Sequence, residues 1–74
     1  MNKLSTVLAT ILWIGTVDVI EGEIAMVQVT GSDLEVRDME MSTLMFPCEI
    51  EEGDFFYFAY SEGVTEIRCG EPPQ

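Results

Sequence analysis

The side chains able to do chemistry are few in kind. Cys48 and Cys69 are the only thiols, histidine is absent, and fourteen Asp and Glu face three bases, Lys3, Arg37 and Arg68, for a net charge of −11 over 74 residues. Two thiols without an imidazole fall short of the four Cys or His ligands of a structural zinc site within one chain. Neither thiol has a base close by in sequence to activate it, so nucleophilic catalysis is not expected. Pairing of the two cysteines would contribute roughly 3 kcal/mol by restricting the unfolded chain. Two free thiols in a reducing cytoplasm are the expectation, because no convincing export signal precedes them.

Among the carboxylates, Glu49, Glu51, Glu52 and Asp54 form the densest group. They lack the ordered ligand spacing and terminal bidentate Glu of a calcium-binding loop, so a solvated turn is expected and no metal. Asp18, Glu21 and Glu23 read the same way, with like charges discouraging unwanted edge pairing. No phosphate-binding G-x-x-x-x-G-K-[ST] or G-x-G-x-x-G run occurs, and no G-x-S-x-G elbow. The expectation is a protein that is not an enzyme and takes no cofactor. An acid excess of this size repels phosphate and anionic lipid headgroups, which excludes direct nucleic-acid binding and membrane attachment through charge. It leaves two uses for the acids: solubility, and attraction of a basic protein partner.

The elements that must carry these groups follow from hydrophobic patterning. At this length one domain is expected, with a core supplying roughly 3–5 kcal/mol unless a disulfide, metal or second chain supports it. Leu4 to Gly15 is apolar but too short to span a bilayer. Ser5, Thr6 and Thr10 interrupt it and no small-x-small cleavage site follows, so it reads as structural. Leu4, Val7, Leu8, Ile11 and Leu12 fit helical spacing, while Val7, Ala9, Ile11 and Trp13 fit strand alternation. The β-branched content favours a long first strand whose start is undecided, with a helical N-terminal segment as the alternative.

Beyond Trp13, short apolar runs alternate with turns at Glu21-Gly22-Glu23, Gly31-Ser32-Asp33, Glu52-Gly53-Asp54 and Ser61-Glu62-Gly63. This spacing predicts an all-β domain, a five-stranded antiparallel meander or small barrel of SH3-like or OB-like type. Ala25, Val27 and Val29 share one face of the second strand, and Leu34 and Val36 alternate with Glu35 and Arg37 to open the third. Phe55 to Tyr60 is apolar on both faces, and Val64 to Cys69 forms the last strand before a flexible tail over 70–74. Gly22 and Gly53 supply the backbone freedom of their turns.

Val17-Asp18-Val19-Ile20-Glu21-Gly22-Glu23-Ile24-Ala25-Met26-Val27, followed by Phe46-Pro47 and Glu52-Gly53-Asp54-Phe55, resembles a short bacterial and phage family, domain of unknown function 3006. Members read roughly V-D-x-I-E-G-[DE]-x-A-x-[VL], then Leu-Pro, then E-G-D-hydrophobic. The resemblance covers about residues 13–60, and it implies a small β-barrel with no known activity. This chain departs from the pattern by roughly a dozen residues before the motif and by a heavier aromatic run at Phe55–Tyr60. Both additions are material for an interface.

The sequence therefore points to a non-enzymatic interaction domain, phage-encoded by the family resemblance, that engages another protein through its aromatic segment or through an acidic surface suited to a basic partner. Its partner-binding candidates are Phe55, Phe56, Tyr57, Phe58 and Tyr60 with Glu51, Glu52 and Asp54. Two alternatives stand beside it. One is an acidic nucleic-acid mimic that blocks a basic host protein. The other is an accessory domain that forms a homodimer through its N-terminal run and aromatic strand.

Overall fold

The computed structural model describes residues 10–73. Strand is already present at Thr10, the first described residue, so Ile11 and Leu12 are strand and not helix; the remainder of the N-terminal apolar run lies outside the described residues. The expected all-β architecture forms, with five antiparallel strands: β1 (Thr10–Glu21), β2 (Ile24–Gly31), β3 (Val36–Ser42), β4 (Phe55–Ser61) and β5 (Val64–Cys69). One 3-10 turn, Thr43–Met45, interrupts the β3–β4 connection.

The order across the sheet is β3-β2-β1-β4-β5. A sequential meander therefore runs only through β1, β2 and β3. The chain then crosses back to set β4 on the other side of β1, giving a Greek-key order of 4-1-2-3 with β5 added at the edge. The two outermost strands, β3 and β5, are not neighbours, so the sheet stays open and does not close as a barrel. β1, the longest strand, lies at the centre of this order with β2 on one side and β4 on the other. Gly15 stands between Val29 of β2 and Phe56 of β4 in the paired register.

Two tight hairpins set the registers. Glu21 pairs with Ile24 across Gly22-Glu23, where Gly22 has φ +61° and Glu23 does not share the positive φ. Positive φ at the first central residue alone belongs to the type II′ turn, which matches the twist of the flanking strands. Ser61 pairs with Val64 across Glu62 (φ 52°) and Gly63 (φ 81°), the type I′ pattern with both central residues left-handed. A glutamate is poorly suited to that region, because Cβ crowds the following carbonyl. Replacing it with a residue that tolerates the conformation, Glu62→Asn, is expected to stabilise the domain by about 1 kcal/mol. Thermal denaturation checks this as a rise of roughly 4–8 °C; an unchanged or lower midpoint contradicts the turn geometry.

The third strand begins later than the alternation of Leu34 and Val36 suggests. Gly31 to Leu34 forms a β-turn in which Leu34 N–H donates to Gly31 C=O at 3.0 Å, and Asp33 Oδ1 accepts from Glu35 N–H at 3.0 Å. Leu34 is consequently left-handed (φ 64°) and 81% exposed. The local polar bonds of Asp33 outcompete the strand here. Pairing with β2 then runs from Thr30–Val36 to Ile24–Ser42.

The core lies on one face of the sheet. Ala25, Val27 and Val29 are buried together as their alternation predicts, beside Val17, Met41 and Phe56. A bulge in β1 at Asp18 on the β2 side shifts the alternation so that Val17 and Ile20 both face this core, and a second bulge lies at Leu12 on the β4 side. The 43–54 connection folds over the same face and seats Phe46 edge-on against Phe56, with ring centroids 5.0 Å apart. Its backbone also completes β1 where β4 has not yet begun. Gly53 N–H donates to Val17 C=O at 2.7 Å, and Val17 N–H donates to Asp54 C=O at 2.9 Å.

A covalent tie holds that connection down. Cys48 and Cys69 form a disulfide with Cα atoms 6.6 Å apart, joining the loop to the end of β5. The expectation of two free thiols is thereby corrected. Cys69 sits opposite Phe56 on the core face, where Phe46 draws the loop, so packing brings together two thiols 21 positions apart.

Candidate protein-binding surface

The aromatic strand does not present a single patch. Alternation sends Phe56 into the core, where it is fully buried, and Phe58 beside it half-buried. Tyr57 is buried on the opposite face between Ile14 and Arg68 in register. Only Phe55 (45%) and Tyr60 (43%) are open, and as residues of opposite parity they face opposite sides of the sheet. The predicted acids also divide. Glu52 Oε2 accepts from Ile20 N–H at 2.9 Å and Asp54 Oδ2 accepts from Glu51 N–H at 2.8 Å, so both carboxylates hold the loop in place. Glu51 is exposed and keeps its carboxylate free for solvent or a partner. Gly22 and Gly53 occupy turns as expected, the latter at φ +95°.

A different surface concentrates exposed apolar area among acids. On the face away from the core, Val19 of β1, Met26 of β2 and Glu40 of β3 stand in one cross-strand row, and Glu21, Ile24 and Ser42 in the next. Val19 (44%), Ile24 (43%) and Met26 (38%) are open to solvent. Asp18, Glu21, Asp38 and Glu40 line a shallow cleft whose floor includes Val19 and Met26. The bulge at Asp18 makes this possible by turning an acid out beside the apolar row. A motif-based reading singles out Asp18 and Glu21 as turn acids. Their union with Asp38 and Glu40 needs the β2–β3 register, which local patterning does not reveal.

The two described arginines lie elsewhere. Arg37 is 2.8 Å from Glu35 and 3.7 Å from Asp33, and Arg68 is 3.2 Å from Glu66. The Tyr57 hydroxyl, and then Glu66, hold the Arg68 guanidinium above its ordinary value. Both arginines among the described residues are thus engaged by local acids, and among the described residues no cation pairs with the cleft acids. Such a surface can hold a cationic chain by charge and its aliphatic stem by contact.

Among the described residues no three or more His, Cys, Asp or Glu side chains are arranged to hold a metal ion, and no helix is long and apolar enough to cross a membrane. No family model, curated protein or solved structure matches the chain.

Proposed function

We propose that this domain is a non-enzymatic protein-binding module that takes a cationic, partly apolar segment along the outer faces of β1, β2 and β3. The observation that carries the reading is the acid-lined cleft over Val19 and Met26, with Asp18, Glu21, Asp38 and Glu40 around an apolar floor. Buried area supplies affinity, and the carboxylate frame selects the sign of the partner. The resemblance to the domain of unknown function 3006 family is compatible with a binding module and adds a phage or bacterial setting to the proposal. The disulfide favours an oxidising compartment for the working protein over the cytoplasm that the sequence suggests.

A titration with an alternating Lys-Leu peptide, followed by amide resonances, tests this. Val19, Met26, Asp38 and Glu40 should shift, and the affinity should fall at high salt. Asp38→Lys/Glu40→Lys should weaken binding about tenfold or more, and a Ser-Leu peptide should not bind. Equal affinity of the double variant and the parent, or equal binding of the uncharged peptide, would remove the reading.

A further inference from the structure

The two edges of the sheet differ in what they permit. We infer that the free edge of β5 pairs with β5 of a second copy, antiparallel about a two-fold axis at Ile67, to form a continuous ten-stranded sheet. This goes beyond the cleft proposed above and does not depend on it.

The backbone fixes which groups are free. Ser61 and Val64 flank a two-residue turn and form a hydrogen-bonded pair. Alternation then directs the backbone groups of Val64, Glu66 and Arg68 toward β4, and Gly70 continues the series by donating to Phe55 C=O at 2.8 Å. Thr65, Ile67 and Cys69 aim their N–H and C=O outward at the edge, and among the described residues β5 has no further neighbour in the sheet. Outward-directed residues must meet outward-directed residues, so only every second register is available to a partner strand.

Charge selects among those registers. With Ile67 opposite Ile67 of the partner subunit, Glu66 lies opposite Arg68 of the partner subunit, and the two-fold axis repeats that pair. Sliding one step in either direction sets Glu66 against Glu66 of the partner subunit or Arg68 against Arg68 of the partner subunit. The sequence Glu66-Ile67-Arg68 is self-complementary in one register only. Opposite charges facing each other in a non-hydrogen-bonded pair are favourable and like charges are not. Edge β3 behaves oppositely. In its register of greatest overlap, centred on Met39, Asp38 falls opposite Glu40 of the partner subunit on both sides of the axis. Moving one step either way opposes Asp38 to itself or Glu40 to itself, and acids placed this way keep an edge unpaired.

The contact is a short strand edge, which belongs with small, weak interfaces. Each copy keeps its cleft on β1–β3, on the far side of the sheet from β5, so the dimer would carry two clefts and gain avidity for a repeated partner.

Sedimentation of the intact, disulfide-bonded chain from about 10 µM to about 1 mM, in about 0.15 M salt, tests this. The parent should pass from monomer to dimer across that range. Glu66→Arg and Arg68→Glu should each weaken dimerisation about tenfold or more, because every substitution counts twice across the axis. Glu66→Arg/Arg68→Glu together should restore it to within about threefold. Circular dichroism verifies that each variant is folded, and mixed isotope labelling should give an Ile67-to-Ile67 contact between copies. A parent that stays monomeric throughout overturns the inference. So does a dimer that ignores the single charge reversals, or a double reversal that fails to restore it. Loss of peptide binding at the cleft with dimerisation intact would sink only the functional reading above.

Discussion

Gly15→Ala is expected to lower the melting temperature by about 10 °C or more, out of proportion to a single methyl group. A Cβ at residue 15 would stand 2.2 Å from Phe56 Cζ and under 3 Å from both Cε atoms, so the ring lies directly on the glycine. Phe56 has no free direction in which to retreat. It is fully buried, Phe46 meets it at 5.0 Å and Phe58 at 6.0 Å between centroids, and Gly15 itself lies in the central strand. Overpacking of this kind costs about 1–3 kcal/mol, a large share of the roughly 3–5 kcal/mol that a core of this size supplies. The usual gain from replacing a strand glycine is smaller, about 0.5–1 kcal/mol. Gly31 gives the internal control. Its added Cβ would meet the Trp13 indole at 2.6 Å, but Trp13 is 43% exposed and can swing aside. Gly31→Ala should therefore change tryptophan fluorescence with a smaller loss of stability. Phe56→Leu in the Gly15→Ala background should recover part of the loss by removing the far ring edge. Equal melting of Gly15→Ala and the parent would show that the ring does not rest on residue 15.

Removing the disulfide should have an effect of similar size by a different route. The bond closes a loop with a sequence separation of 21, and the chain-entropy model assigns such a loop roughly 3 kcal/mol. Cys48→Ser/Cys69→Ser should lower urea-denaturation stability by about that amount. Addition of a reductant should reproduce the loss in the parent and do nothing further to the double variant. Both cysteines are exposed, so reduction can proceed from the folded state. Two alkylatable thiols in the untreated protein would contradict the bond. The loop carries Phe46 and Ile50 onto the core, so the destabilised protein should lose protection first at residues 43–54.

How much of this could be read without coordinates depended on the range of the interaction. The hairpin at Gly22 was legible because a glycine between alternating apolar runs is a local signal, and its φ of +61° agrees. The buried row Ala25, Val27 and Val29 was legible for the same reason, since period-two alternation acts within one strand. The aromatic run was legible as a strand, but its surface was not. Which of Phe55 and Phe56 is buried depends on where β1 and the 43–54 loop lie, and no residue inside the run encodes that. The candidate cleft was legible in halves only: Asp18 and Glu21 stand out beside a turn, whereas Asp38 and Glu40 join them through pairing of β2 with β3.

Local periodicity, turn chemistry and composition are enough to give the all-β class, the turns, the acidic surface and the supply of two cysteines. The return of β4 to β1, the seating of Phe56 and Trp13 on Gly15 and Gly31, and the reach of Cys48 to Cys69 come from packing between distant parts of the chain. Those outcomes rest on contacts between residues far apart in the chain. Their side chains must match in shape and register across strands, and spacing along a single strand carries no record of that match.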